Sequence, residues 1–139
     1  MFLGEYTHTV DDKGRLTIPA KYRALLAPGL VVTRGLDRNL VIYPLNEWEA
    51  LAGRVMARPM TDPAVRAFRR RVFSGAVDLT LDRQGRILLP TYLRDFADLN
   101  GDVVIVGNFD YAEIWNRDAW ASARNVIENA DESVFDIGL

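Results

Sequence analysis

Hydrophobic and polar residues alternate in two short segments of the chain, at residues 6–10 and 77–81. In the second segment, three apolar residues are separated by Asp78 and Thr80, which is the period-2 pattern of a strand that is buried on one face. The first segment keeps the alternation but places His8 on the inward face. We therefore predict two equivalent strands. We expect His8 to be a partly buried structural residue and not a catalytic base.

A polar turn follows each of these strands. The loops 12–14 and 83–85 each have three residues and end in glycine, which suits a hairpin with a bulge because that position needs a positive φ. Each turn is expected to bring an aspartate opposite an arginine: Asp11 opposite Arg15, and Asp82 opposite Arg86.

The segments after the turns predict a strand, a short helix, two further strands and a longer helix in each case. Pro19 and Pro90 suit the start of the short helices, where a missing N–H costs nothing. Asn46 and Glu49 resemble a capping box that opens a helix and turns Trp48 inward. The later strands are predicted at residues 30–34, 39–43, 102–106 and 112–115.

A further helix is predicted between these two groups of elements. It begins at Asp62-Pro63 and has an apolar stripe on one face. The run Arg69–Arg71 points in three directions on a helix, which favours a solvated face over a phosphate clamp. The last ten residues, 130–139, are acidic and sparsely apolar, so we expect a loosely held tail.

The sequence contains an internal repeat. A shift of 71 residues places residues 11–19 on 82–90, and a shift of 72 continues the match further along the chain. Because the tryptophans of the two copies coincide, we expect both to be core residues. The coincidences include Arg23 with Arg94, Val32 with Val104, Gly35 with Gly107 and Trp48 with Trp120.

The two copies are expected to share one core, because a two-stranded hairpin alone is marginal in water. Leu88 takes an outward position between Ile87 and Leu89, as though the other copy covered the second face of that strand. We predict an α+β fold in which both hairpins pair about a pseudo-two-fold axis in a barrel-like sheet, with short flanking helices. The predicted divisions are repeat 1 at 5–47, a helical connector at 48–75, repeat 2 at 76–119, and a C-terminal helix with an acidic tail at 120–139.

The composition excludes several classes of protein. With 49% hydrophobic residues the chain should fold, and without cysteine it can form neither a disulfide framework nor a thiolate zinc site. No apolar run approaches the roughly 20 residues that span a bilayer, and the N-terminus lacks the features of a signal peptide. We therefore expect a cytoplasmic location and no membrane partner.

The net charge of -2 argues at first sight against a nucleic-acid partner, since neutralised phosphates supply most of the binding free energy. However, residues 1–94 carry 15 Lys+Arg against 9 Asp+Glu, a net +6, whereas residues 95–139 carry 2 against 10, a net -8. Arginine supplies 15 of the 17 basic residues, which suits bidentate recognition of phosphate or guanine. A GC-rich genome would produce the same bias.

The two turns carry the candidate DNA-binding residues. Their aspartate–arginine pairs could be simple exposed ion pairs, which contribute little to stability. Repetition of the pair at a turn tip, next to Lys13 or Arg83, favours DNA contact, with the aspartate orienting the guanidinium towards guanine O6 and N7. The full candidate set is Asp11, Lys13, Arg15, Asp82, Arg83 and Arg86.

These features resemble the MraZ family, within the SpoVT/AbrB-like superfamily. The resemblance rests on the start Met-Phe-Leu-Gly-Glu-Tyr, the Asp-x-x-x-Arg turns at 11–15 and 82–86, and the tandem layout of nearly the whole chain. It implies AbrB-like swapped-hairpin β-barrel halves, and it places the turn aspartates and arginines in a DNA-facing constellation. Gln84 stands where the first copy has Lys13, so an equal contribution of the two copies is not implied.

The resemblance also implies a function. It points to a ring-shaped homo-oligomer that binds double-stranded DNA at short direct repeats upstream of the division and cell-wall gene cluster, including its own promoter. Such a regulator would be associated with the nucleoid.

Two other classes of function compete with DNA binding. An enzyme would need a zinc-ligand cluster, a phosphate-cradling glycine loop or a Ser–His pair, and the sequence has none of these. We therefore expect no catalysis, no cofactor, no metal and no small-molecule substrate. A protein-binding scaffold or antitoxin-like module of the same fold would use the acidic second half as its surface.

Overall fold

The computed structural model describes residues 1–139 and has the predicted α+β composition. Eight strands are arranged with five α-helices and one short 3-10 helix at Glu132–Phe135. The strands are β1 (Glu5–Thr9), β2 (Arg15–Thr17), β3 (Leu30–Arg34), β4 (Leu40–Pro44), β5 (Val77–Leu79), β6 (Arg86–Leu88), β7 (Asp102–Gly107) and β8 (Ala112–Asn116). The helices are α1 (Ala20–Leu26), α2 (Leu45–Met56), α3 (Pro63–Val72), α4 (Thr91–Ala97) and α5 (Arg117–Glu128).

The strands of the two copies are interleaved. Six of them form one antiparallel sheet in the order β1-β7-β8-β4-β3-β5, and β2 pairs with β6 in a separate two-stranded sheet. The first strand of each copy therefore pairs with the other copy, β1 with β7 and β5 with β3. Neither copy could keep these pairs without the other.

The six-stranded sheet is open, with β1 and β5 at its edges, so the barrel-like sheet that we predicted does not close. The reason is that β2 and β6 are only three residues long and pair with each other. A single bridge between Val10 and Leu16 continues the pairing from the end of β1 to β2.

A local two-fold axis runs through the pairing of β4 with β8. Leu40 lies opposite Ile114 and Ile42 lies opposite Ala112, symmetrically about the pair of Val41 and Glu113. The two strands therefore correspond at a shift of 72 residues, as the sequence repeat predicts for this region.

The strands before them correspond at a different shift, so our sequence alignment was wrong at this point. Val32 pairs with Ile42, and Ile105 pairs with Ile114, which makes Ile105 and not Val104 the counterpart of Val32. The loop after β3 is one residue longer than the loop after β7, and this extra residue absorbs the difference. By the same correspondence, Gly35 matches Asn108 and not Gly107.

The core lies between one face of the sheet and the layer formed by both hairpins with α1 and α4. Nineteen buried residues form a single cluster that draws on both copies. Leu16 and Ile18 are fully buried, as are their counterparts Ile87 and Leu89. The opposite face of the sheet carries α2, α3 and α5. No helix combines the length and apolar character that crossing a bilayer would require.

Two predictions of burial were wrong. Leu88 is 57% exposed and lies opposite Arg15, because its strand pairs only with β2 and nothing covers its outer face. Trp48 and Trp120 are only half-buried and lie outside the core, since α2 and α5 pack on the outer face of the sheet. Trp48 contacts Phe73, and Trp120 contacts Trp115.

Helix starts were predicted with mixed success. Asp62 caps α3 by accepting from the N–H of Ala64, as expected. The capping box at Asn46 was wrong, because α2 begins one residue earlier at Leu45 with Pro44 at the cap position. In the second copy the cap position that corresponds to Pro44 is occupied by Asn116. Its side chain caps α5 by accepting from the N–H of Ala119.

The arginine run of α3 is divided among different surroundings. Arg70 is exposed, whereas Arg69 lies over the ring of Phe73 and Arg71 over that of Phe96. Residues 131–139 are all exposed, as expected for the tail.

The contrast between Ile87 and Leu88 predicts their contributions to stability. Ile87→Ala should lower the free energy of unfolding by about 2–5 kcal/mol, because Ile87 is 1% exposed and its loss leaves a cavity. Leu88→Ala, one residue further along the same strand, should change it by no more than about 0.5 kcal/mol. Urea unfolding of the two variants checks this, and equal losses would contradict the burial of β6 on one face.

Candidate nucleic-acid interface

Both turns have the predicted hairpin geometry with a bulge. In the first turn the N–H of Gly14 donates to the carbonyl of Asp11, and the N–H of Asp11 donates to the carbonyl of Arg15, both at 3.0 Å. Gly14 has a φ of +84°, which glycine adopts without strain. The second turn repeats these bonds between Asp82, Gly85 and Arg86, so the two turns are structural equivalents.

The aspartate of each turn binds both the backbone and the arginine. Asp11 Oδ1 accepts from the backbone N–H groups of Lys13 and Arg15 at 3.0 and 2.8 Å, and Asp11 Oδ2 accepts from Arg15 Nε at 2.7 Å. Asp82 makes the same three bonds to Gln84 and Arg86. Because only Nε is engaged, the two terminal nitrogens of each guanidinium have no hydrogen-bond partner within the chain.

The same bonds keep the aspartates ionised. The backbone hydrogen bond from Arg15 is the main cause that lowers the pKa of Asp11, and the bond from Arg86 does the same for the pKa of Asp82. Each arginine therefore faces a carboxylate that stays charged well into the acidic range.

The pairing of β2 with β6 brings the two arginines together on one surface. Arg15 lies opposite Leu88, and Thr17 lies opposite Arg86, whereas the residues between them point inwards and are buried. Arg15 and Arg86 are thus diagonal neighbours, a relation that places residues about 7–8 Å apart. We call this pair of strands, Arg15–Thr17 with Arg86–Leu88, the arginine ribbon. From the sequence we predicted two equivalent turns, and their joining into one surface is a finding of the structure.

Two further arginines, missed by sequence analysis as site residues, support the turns. Arg23 Nε donates to the carbonyl of Ile18, and Arg94 Nε donates to the carbonyl of Leu89, each at 3.0 Å. Each of these arginines also packs against the turn glycine of the other copy, Arg23 against Gly85 and Arg94 against Gly14. A Cβ on Gly85 would lie 2.3 Å from Arg23 Nε, and one on Gly14 would lie 2.9 Å from the guanidinium of Arg94. The coincidence of Arg23 with Arg94 in the repeat was the signal that could have identified them.

Backbone hydrogen bonds complete the contact between the copies. The N–H of Ile18 donates to the carbonyl of Gly85 at 2.8 Å, and the N–H of Leu89 donates to the carbonyl of Gly14 at 2.9 Å. Each turn is therefore held by the strand end of the other copy.

The remaining predicted residues lie at the turn tips. Lys13 and Arg83 are exposed, and neither forms an ion pair within the chain. His8 is half-buried near Arg23, and burial, with the charge of Arg23 second, lowers its pKa. This partial burial agrees with the prediction for His8. No three histidine, cysteine or acidic side chains converge as metal ligands would.

Comparison with known proteins gives matches over the whole chain. The family model described as "MraZ protein, putative antitoxin-like" matches residues 1–71 and again residues 72–136. A protein of Herpetosiphon aurantiacus named Transcriptional regulator MraZ is 55% identical over 86% of this chain and 84% of its own length. Proteins of the same name from Desulfitobacterium hafniense and Roseiflexus castenholzii are 46% and 48% identical, over 100% and 97% of this chain and 100% and 94% of their own lengths.

The close packing of Gly85 predicts a large effect of a single methyl group. Gly85→Ala should destabilise the fold by about 1–2 kcal/mol or more, because its φ is +73° and the new Cβ would collide with Arg23. The matched control is Gly53→Ala in α2, where nothing lies within 4 Å and alanine should stabilise the helix by about 0.5–1 kcal/mol. Urea unfolding distinguishes the two, and a neutral Gly85→Ala would argue against the packing of the turn on Arg23.

The lowered pKa values of Asp11 and Asp82 predict how the turns respond to acid. A group with a lowered folded-state pKa contributes stability above its unfolded-state pKa, about 3.9 for aspartate, and loses that contribution as the pH falls through the folded-state value. The stability difference between the native chain and Asp11→Asn/Asp82→Asn should therefore be largest near pH 7 and shrink below pH 4. Urea unfolding at both pH values measures it. A difference that is the same at both would show that the charge of these carboxylates does not stabilise the turns.

Proposed function

The chain belongs to the MraZ family, and from this we propose that it is a sequence-specific DNA-binding transcriptional regulator. Both halves match the family model, and the relatives named Transcriptional regulator MraZ align over nearly the full chain. The arginine ribbon is the observation on which the proposed mode of DNA binding rests.

The shape of the ribbon supports insertion into the major groove. That groove is wide enough for a two-stranded β-ribbon, and several regulators read DNA with such a ribbon. Arg15 and Arg86 project from the same outer face, with Thr17 and the exposed Leu88 beside them. In our proposal the guanidiniums read guanine, while Leu88 is available for apolar contact with a thymine methyl group.

The hydrogen bonds of the aspartates support guanine as the target. Each aspartate holds Nε, so that the two terminal nitrogens form a fixed fork that matches guanine O6 and N7. Because the fork is already oriented, less side-chain entropy is lost on binding than with a free arginine.

Other basic residues are proposed to bind phosphate. Lys13 and Arg83 at the turn tips, with Arg23 and Arg94 behind the turns, surround the ribbon with positive charge. Contacts of this type fix the register on the duplex without reading sequence. The negative total charge does not oppose this arrangement, because the excess of acidic residues lies in residues 95–139, outside both turns.

The targets and assembly are further parts of the proposal. We propose that the chain forms a ring-shaped homo-oligomer that binds short direct repeats upstream of the division and cell-wall gene cluster, including its own promoter, and is associated with the nucleoid. Repeated ribbons on one assembly would suit repeated DNA sites. We also propose that the cross-copy pairing of β1 and β5 is the swapped-hairpin arrangement of the AbrB-like superfamily, since each hairpin pairs outside its own copy.

A mobility-shift assay with DNA from upstream of the chain's own gene tests the proposal. Arg15→Ala and Arg86→Ala should each weaken binding about 5- to 150-fold, since a bidentate arginine–guanine contact is worth about 1–3 kcal/mol. The matched control is Arg124→Ala, because Arg124 is 52% exposed and pairs with Glu128 within α5, on the opposite face of the sheet from the ribbon. Unaltered binding by both single variants and their double variant would remove the ribbon from the DNA interface.

A pull-down tests the alternative function. Capture of another protein through residues 95–139, whether or not DNA is present, would favour the scaffold or antitoxin-like alternative.

A further inference from the structure

The counterpart helices α2 and α5 differ in how they are covered. In the first copy, α3 lies on the outer face of the sheet next to α2. The hydroxyl of Thr33 donates to the carbonyl of Val72, the last residue of α3. Phe68 of α3 shares one cavity with Val41 of the sheet and another with Val55 of α2. As a result Thr33 and Val41 are only 1% and 7% exposed.

No helix of the chain covers α5 in the same way. The counterparts of Thr33 and Val41 are Val106 and Glu113, and both are only half-buried. On α5 itself, Val126 is 69% exposed and Ile127 is 51% exposed. A groove of about 480 Å³ lies at this position. We call it the α5 groove, and the residues that line it include Asp37, Glu113, Trp115, Trp120, Val126 and Ile127.

The α5 groove combines apolar side chains with negative charge. Asp37 and Glu113 are among its lining residues, and no lysine or arginine lines it. Most of the lining residues belong to the segment 95–139, which carries the net -8. A surface that fits this groove must therefore present apolar side chains flanked by positive charges. This is also the chemistry of α3, which fills the equivalent position beside α2.

The chain carries such a surface where α2 leads into α3. We call it the α2–α3 corner and define it as residues 54–70. Met56 and Met60 are 59% and 50% exposed there. Arg66 donates to the carbonyl of Met60, and Arg69 contacts its sulfur, so the arginines are held around this methionine. None of the arginines of the corner forms an ion pair with a carboxylate.

We propose that the α5 groove of one molecule receives the α2–α3 corner of a second copy of this chain. The inference rests on the homo-oligomer of the proposed function and names the surfaces that would build it. Because the two surfaces differ, each copy offers one groove and one corner, and such a head-to-tail contact continues until a ring closes. Both surfaces lie on the face of the sheet opposite the arginine ribbon, so every ribbon in the assembly stays free for DNA.

Two variants and their mixture test this contact in the full-length protein by sedimentation velocity. Val126→Asp/Ile127→Asp should prevent binding through the α5 groove, and Arg58→Glu/Met60→Asp should prevent binding through the α2–α3 corner. Each variant alone should therefore sediment as a monomer. All four positions are exposed, so the fold should persist, and circular dichroism checks that it does. The matched control Val134→Asp, at a site that is 67% exposed in the tail, should keep the native mass.

The mixture of the two variants is the decisive measurement. One variant keeps its corner and the other keeps its groove, so an equimolar mixture should form pairs of twice the monomer mass and nothing larger. If both variants keep the native mass, or if their mixture stays monomeric, the proposed contact is wrong. A native chain that is itself monomeric would overturn both this contact and the proposed ring. The ribbon's role in DNA binding is tested separately, by the affinity of each variant for DNA with a single repeat.

Discussion

The contact between the two copies is the constraint on which the rest of this structure depends. The N–H groups of Ile18 and Leu89 each bind the carbonyl of the glycine in the other copy's turn, and β2 pairs with β6 over three residues. These bonds place both hairpins over one face of the sheet and allow a single core to form from both copies. They also turn two separate arginines into neighbours on one surface. A chain with only one copy would have neither the core nor this surface.

The two faces of the sheet carry the two surfaces to which we assign separate proposed functions. One face carries the hairpins, whose outer surface presents Arg15 and Arg86 with their terminal nitrogens free. The other face carries three helices, which hold both the most arginine-rich segment and the uncovered groove on α5. The net charge of -2 is compatible with the proposed DNA surface, because the acidic excess lies in residues 95–139, which contribute to neither turn.

Local signals in the sequence predicted what depends on local chemistry. The glycine turns, the aspartate–arginine pairs and the start of α3 at Asp62 all follow from residues within a few positions of each other, and the structure has them. The errors concern longer distances. A loop of one extra residue after β3 changed the repeat alignment, and the exposure of Leu88 depends on which strand its neighbour pairs with. The half-burial of Trp48 and Trp120 depends on the side of the sheet on which their helices pack, which repeat equivalence alone does not determine.

The central claim is that the arginine ribbon contacts the major-groove edges of guanine bases. Methylation protection measures this directly, because dimethyl sulfate methylates guanine N7, the atom that a bidentate arginine would cover. The account predicts that saturating protein protects guanines in each repeat of the promoter, and that an Arg15→Ala/Arg86→Ala chain, bound at saturation, leaves the same guanines reactive. Protection that persists in the double variant, or guanines that stay fully reactive beneath the bound native protein, would contradict it.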